Sequence, residues 1–460
     1  MTFSTKLEII STVIVIAIIA VFFLAVHLKK RQLARQARPM SLQIAPPGTA
    51  KGIIFGHDEK GETVYSATQE EGSVFAVGGS GTGKTSAIVI PTLRAWTGTS
   101  LVIDISGDIC RNVDCPNKLI YAPGNPNSAP YNVFAMIDSI DDDDDKNEAL
   151  EKLAFLVMPE TQDASPNSKY FESGGRNILV ASLIAFYHEG YDFVEICQKI
   201  LGSSYKALFS SIDDTKNTTA IMYINGFDGN NEANIAGCKQ QCDQAVKLFA
   251  VNKKVSHSVR RPAPSETAFT PKSIETHNVF ALIPDDMLAV YAPLLHIITA
   301  QCLSYFSARP ANQTQNILLC LDEFASLGQL EIVGALRKLR KKHVRILVLT
   351  QSIADLEEVY GQGAYRPMLS NFRFKLILGV GETDAQEYFA KLIGLQEKQK
   401  TSVTNSGSMG PVTSRTSSTE KDYIIEPSSL DRLGDELILV LSRFMRKNVC
   451  RARLNEVSRQ

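Results

Sequence analysis

Eight consecutive residues, Gly78, Gly79, Ser80, Gly81, Thr82, Gly83, Lys84 and Thr85, carry the densest chemistry in this chain. They fit the pattern G-x-x-x-x-G-K-[ST], in which glycines let the backbone curl so that its N–H groups point at phosphate oxygens. The pattern assigns Lys84 to the β- and γ-phosphates of ATP and the Thr85 hydroxyl to Mg²⁺. A second set lies far downstream, where the apolar run Ile317–Leu321 ends in Asp322 and Glu323. Asp322 suits Mg²⁺, held through a water, and Glu323 suits the orientation and activation of an attacking water. Gln351 follows another apolar run, Val344–Leu349, where a polar side chain can touch a γ-phosphate. A glycine-rich turn can match the first pattern by accident, and two adjacent acids can merely cap a helix. Their joint occurrence favours catalysis.

Those residues need particular elements to hold them. Ser73–Val77 reads as a short buried strand before the loop, and Thr85–Leu93 as a helix whose positive end faces the same anion. Further strands are expected at Leu101–Ile105, Asn278–Ile283, Ile317–Leu321, Val344–Leu349 and Phe374–Leu378. Most are unbroken apolar segments, the mark of parallel strands buried on both faces. Helical patterns at Leu288–Phe306 and Gln329–Lys342 alternate with them, which predicts a doubly wound α/β sheet. Glu436–Leu441 and Asn448–Arg453 are expected as late edge strands. Asp104 is equally a site residue or a turn residue before Gly107.

Other stretches set boundaries. Residues 39–50 read as a linker. The acids Asp141–Asp145 read as a solvated loop. Residues 146–270 show helical periodicity and no convincing strand, so an all-α domain is expected inside the α/β domain formed by 39–145 and 271–460. Residues 401–420, rich in Ser, Thr and Gly, read as a mobile loop. The stretch Arg337–Arg345 holds six Lys and Arg residues in nine positions. It fits a solvated helix face, a nucleic-acid phosphate contact, or an arginine supplied to a neighbouring subunit.

The 460 residues imply more than one domain. Lys and Arg total 48 against 49 Asp and Glu, a net charge of −1, so any nucleic-acid contact must be local. The eight cysteines show no paired metal-ligand spacing, and Cys238-x-x-x-Cys242 lacks a second pair. Leu7–Leu28 is nearly apolar and just meets the ~20 residues a membrane helix needs. Lys29, Lys30, Arg31, Arg35 and Arg38 follow it, so residues 1–38 are expected to form an uncleaved anchor with its basic flank in the cytoplasm.

The order of motifs resembles type IV secretion coupling proteins, the TraG-like group of DNA-pumping ATPases. The resemblance rests on Gly78–Thr85 with Ile90–Leu93, on Val102–Asp108, on Ala281–Pro284, on Leu321–Gly328 and on Leu349–Ser352. It implies a RecA-like P-loop NTPase with a mostly parallel sheet, an inserted all-α domain and one N-terminal transmembrane helix. It further implies a homo-hexamer at the bacterial inner membrane that feeds DNA, a relaxase–DNA complex or effector proteins to a type IV secretion channel. Lys84, Thr85, Asp322, Glu323 and Gln351 match the family's catalytic positions, and Arg340 the place of an arginine finger. The family's Asp-x-Lys-Gly-Glu strand motif reads Asp104-Ile-Ser-Gly-Asp108 here and lacks the lysine. Two other readings stand beside this one. One is a membrane docking platform that binds ATP without pumping, and the other is a chromosome-segregation translocase.

Overall fold

The computed structural model describes residues 42–161, 165–310, 312–406, 412–441 and 448–453. The expected anchor at Leu7–Leu28 lies outside them. Among the described residues fourteen strands occur in chain order: β1 Gln43–Ala45, β2 Gly52–His57, β3 Thr63–Ala67, β4 Val74–Val77, β5 Thr99–Asp104, β6 Lys118–Tyr121, β7 Asn278–Leu282, β8 Ile317–Leu321, β9 Val344–Thr350, β10 Phe374–Ile377, β11 Leu395–Ser406, β12 Val412–Tyr423, β13 Glu436–Leu441 and β14 Asn448–Arg453. Twelve form one sheet in the order β1-β3-β2-β14-β13-β10-β4-β9-β8-β5-β7-β6. From β10 to β6 every neighbouring pair is parallel, and from β10 through β13, β14, β2 and β3 the pairs are antiparallel. All residues of β4, β5, β8 and β9 are buried. Their mostly apolar text follows from that, since water reaches neither face.

Helices fill the connections between the parallel strands, which makes this an α/β fold. Asp285–Ala308 is the stretch, among the described residues, long and apolar enough to cross a membrane. Leu294, Leu295, Ile297 and Ile298 within it are fully buried, so here it serves as a core helix. Between β6 and β7 seven helices run from Asp143 to Ser258 without a strand among the described residues. Side-chain caps punctuate this run, including Asp192, which forms a reciprocal box with Glu195. Gly174 and Gly175 let the helix Pro166–His188 close on Glu232–Val251. A Cβ on Gly174 would lie 2.4 Å from Cys238 Sγ. One continuous apolar core joins Leu150, Leu183 and Val246 of these helices to Leu101, Leu319 and Ile346 of the sheet.

Several local expectations are corrected. The linker contains β1, a short edge strand. Asp143, Asp144 and Asp145 form the first turn of the helix Asp143–Val157, and Asp142 caps it by accepting from the Asp144 and Asp145 N–H groups. Acids at a helix N-terminus oppose the positive end of its dipole, so the run starts a helix rather than a free loop. Of the segment read as a mobile loop, the described residues 401–406 and 412–420 belong to the ribbon β11–β12, paired antiparallel from Leu395↔Tyr423 to Ser406↔Val412. Its threonines and valines favour extended backbone, which the composition had masked. The helix expected at Gln329–Lys342 is shorter, Ile332–Lys338 followed by a 3₁₀ turn, Leu339–Lys342.

Candidate nucleotide site

The register of β4, β9 and β8 decides what stands together. Val77 pairs with Thr350, and Leu321 pairs with Val348, so the phosphate-loop pattern, Gln351 and Asp322–Glu323 all leave the carboxyl ends of adjacent parallel strands. This edge of an open α/β sheet is where such folds receive ligands. The loop is tied down on both sides: Gly78 N–H donates to Thr350 O at 3.3 Å, and Gly79 N–H to Gly379 O at 3.2 Å. Gly83 has φ 90°, a left-handed value open to glycine, and turns the chain into a π-type helical turn, Lys84–Val89. The helix Ile90–Ala95 continues it.

Lys84 is 6% exposed. Its Nζ donates to Gly78 O at 2.5 Å and to Gly79 O at 3.1 Å. Burial pushes its ammonium below the usual lysine range, against the opposing pull of Glu323 and Asp322. The lysine therefore sits over its own loop while feeling both carboxylates. Asp322 is 4% exposed, and its Oδ1 has no hydrogen-bond partner. Burial, then the neighbouring charges of Glu323 and Asp104, push its carboxyl up to about 7. A buried carboxylate oxygen without a donor is costly, and a cation or a coordinated water would relieve it.

Glu323 adopts φ 47° and ψ 51°, a left-handed backbone rare for a residue with a side chain. That turn aims its carboxylate sideways to Gln351, whose Nε2 donates to Glu323 Oε1 at 2.9 Å. Behind it, Phe324 stacks on Tyr360 with centroids 5.6 Å apart, and the Tyr360 hydroxyl accepts from Leu330 N–H at 3.1 Å. Phe324 and Leu327 are buried, which explains the apolar members that follow the acidic pair.

The structure thus brings together Lys84, Asp322, Glu323 and Gln351, with Thr85 one residue on from Lys84. It does not bring Arg340 to them. Arg340 precedes β9, at the opposite end of that strand, and its Nε bonds Glu71 Oε2 at 2.6 Å. The basic run containing it is not one helix face, because Arg345 lies inside β9 and is 3% exposed. Asp104 takes the turn role: Oδ1 accepts from Gly107 N–H at 2.9 Å and Oδ2 from Cys110 N–H at 2.7 Å. Gly379 is the loop contact that reading the sequence missed, since a single glycine after a strand carries no signal of its own.

Comparison with known proteins gives a consistent set of matches. The family described as Type IV secretory system Conjugative DNA transfer matches residues 41–446. The protein VirD4 of Agrobacterium fabrum is 22% identical over 75% of this chain and 53% of its own length. A conjugal transfer protein TraG of Rhizobium radiobacter is 20% identical over 81% of this chain and 60% of its own. The chain spans about half to three fifths of the length of these relatives. The structure of the plasmid coupling protein TrwB in complex with ADP and Mg²⁺ superposes with a TM-score of 0.64 at 19% identity, covering 84% of this chain and 86% of that one.

Proposed function

Because this chain belongs to the family of type IV secretory system conjugative DNA transfer proteins, we propose that it is an ATPase that couples delivery of its substrate, DNA or a relaxase–DNA complex or else effector proteins, to a type IV secretion channel at the bacterial inner membrane. The observation that carries this reading is the convergence of Lys84, the partnerless Asp322 Oδ1 and the Gln351–Glu323 pair at one strand edge.

The residues present fit ATP and Mg²⁺. The loop N–H groups and Lys84 Nζ would hold phosphate oxygens, while Thr85 Oγ1 and Asp322 would hold the metal, Asp322 through a water. TrwB, whose structure holds ADP and Mg²⁺, shares the fold. Bound Mg-ATP supplies the phosphoryl group whose transfer to water releases free energy. Lys84 leaves the carbonyls of Gly78 and Gly79 to meet negative charge. Glu323 orients the attacking water and takes its proton on a carboxylate oxygen. Gln351, bonded to Glu323, sits where the state of that carboxylate is felt at the tip of β9. Arg340 has no part in its own chain's site and would serve a neighbour's, which implies a ring of copies, a homo-hexamer by family. The helices of 146–270 form a substrate-facing domain inserted between 39–145 and 271–460, and residues 1–38 the anchor.

Replacing Lys84→Ala is expected to lower ATP hydrolysis by about 10²–10³-fold and to stop transfer, measured as phosphate release and as conjugation frequency. Transfer at the parent level in that variant would overturn the proposal. A docking platform without pumping is the second reading. It requires secretion to survive Glu323→Gln, whereas the motor requires secretion to stop while nucleotide still binds.

A further inference from the structure

The helix Pro166–His188 changes character along its length. From Ile178 to Phe186 it is buried and, apart from Ser182, apolar, but Lys169, Glu172, Ser173 and Arg176 fall at i, i+3, i+4 and i+7 and make one polar stripe. With Glu160 and Thr161 opposite, they line a cavity of ≈210 Å³. Arg176 is 5% exposed. Its Nε donates to Met158 O at 2.9 Å, and its guanidinium lies over the Phe155 ring, 4.5 Å from the centroid. Nη1 reaches Glu160 Oε1 only at 3.4 Å, and the Glu160 side chain is 73% exposed. Nη2 is buried with no partner at all.

We propose that this cavity is a carboxylate-binding site that receives an acidic group carried on an extended peptide segment of a protein partner. A guanidinium offers two parallel N–H groups that match the two oxygens of a carboxylate. Here that fork is fixed by Met158 and Phe155, with one prong unpaired and the other met at 3.4 Å by an exposed side chain. The Glu160 carboxylate is a weak internal stand-in for the incoming one. Lys169 adds a second positive group and Ser173 a hydroxyl. Glu172, which accepts from Thr161 N–H at 3.4 Å, has capacity left for an N–H of the ligand.

Charge and size set the class. Two cations and two carboxylates leave the cavity near neutral, which disfavours a phosphate dianion and suits one carboxylate beside a hydrogen-bond donor. At ≈210 Å³ the cavity lies below the ~300–1,000 Å³ of pockets that take drug-sized ligands, which suits a carboxylate and its adjoining peptide group rather than a nucleotide. The site uses none of the residues assigned to hydrolysis, so it stands or falls separately from the ATPase.

The test is fluorescence anisotropy with the full chain in detergent and labelled glycine–alanine hexapeptides. One probe has a free carboxyl terminus, one is its amide, and a third is the amide with one internal aspartate. At least one carboxylate probe is expected to bind about tenfold or more tighter than the plain amide, and the tighter of the two identifies a chain terminus or a side chain as the source. Lys169→Ala is expected to weaken that binding several-fold and Arg176→Gln to abolish it. Glu160→Gln is expected to tighten it by removing the internal competitor. Equal binding of acid and amide probes, or weaker binding in Glu160→Gln, overturns the proposal. Lys169→Ala and Glu160→Gln leave Arg176 in place, so the result does not hinge on the fold tolerating its loss. ATP hydrolysis in both is expected to match the parent.

Discussion

Adjacent strands β8 and β9 carry one buried charge each, at opposite ends, and the two are treated in opposite ways. Near the amino end of β9, Arg345 spends its whole fork on fixed oxygens: Nε on Gly72 O at 2.9 Å, Nη1 on Ala67 O at 2.9 Å and Nη2 on Ser66 Oγ at 3.1 Å. Just past the carboxyl end of β8, Asp322 Oδ1 has no partner, and the next residue holds a left-handed backbone. Both sites are equally dry. The difference is that one end is satisfied by the fold and the other leaves a buried carboxylate oxygen unpaired. Unpaired polar atoms and strain gather where function needs them and are excluded where only stability is at stake.

The largest effect should come from the satisfied end. Arg345→Met removes the fork and leaves Gly72 O and the buried Ser66 Oγ without the donors they have, while Ala67 O keeps the Glu70 N–H. A loss of about 3 kcal/mol is expected, read as a lower midpoint in denaturant. Burial and the neighbouring Arg373 push the Arg345 guanidinium down to about 9, so it stays charged at neutral pH and the loss should be flat from pH 5 to 8. A variant as stable as the parent would show that this end is not held by Arg345.

The unsatisfied end should respond with the opposite sign. The Asp322 carboxyl is pushed up to about 7, above its ordinary value near 4. Between those values the native state holds a proton that the unfolded state has released, so stability falls as pH rises through that window. Asp322→Asn removes this dependence. The nucleotide-free variant is expected to be more stable than the parent by up to ~4 kcal/mol at pH 8, with the gap closing toward pH 4, while hydrolysis is lost. Thermal unfolding across pH measures both. Equal stability at pH 8 would mean that the empty oxygen costs the fold nothing.

Much of this contrast was legible in the residues, and the rest was not for definite reasons. The loop, the acidic pair and Gln351 stand out because each follows an apolar run, and such runs are strands when buried on both faces. The register that joins them was beyond reach, since β4 meets β9 and β9 meets β8 across more than twenty residues of chain. Arg345 was hidden by its neighbours. Six basic residues in nine positions suggest one solvated face, yet a turn at His343, with φ 57°, ends the helical part and puts Arg345 into the sheet. The five acids and the Ser/Thr-rich stretch misled in the same way. Composition suggested loops, whereas Asp142 capping and β-branched residues in an antiparallel ribbon made a helix start and two strands.

Arg340 provides the smallest expected change in stability and the sharpest test of what the two ends do together. Its bond to Glu71 is a surface contact, with the two side chains 57% and 33% exposed. Such pairs contribute about 0–1 kcal/mol, so Arg340→Ala should unfold at nearly the parent temperature. Its amino-end position keeps it from its own Lys84, so any catalytic role must be played across a contact between copies. A head-to-tail contact pairs one chain's carboxyl-end site with a different surface of the next chain. In that case Lys84→Ala chains and Arg340→Ala chains are each inactive alone. An equal mixture regains hydrolysis at about a quarter of its interfaces, those joining an intact Lys84 to a neighbour's intact Arg340. Phosphate release that stays at zero in the mixture, or that is normal in Arg340→Ala alone, would leave Arg340 as a surface residue bonded to Glu71.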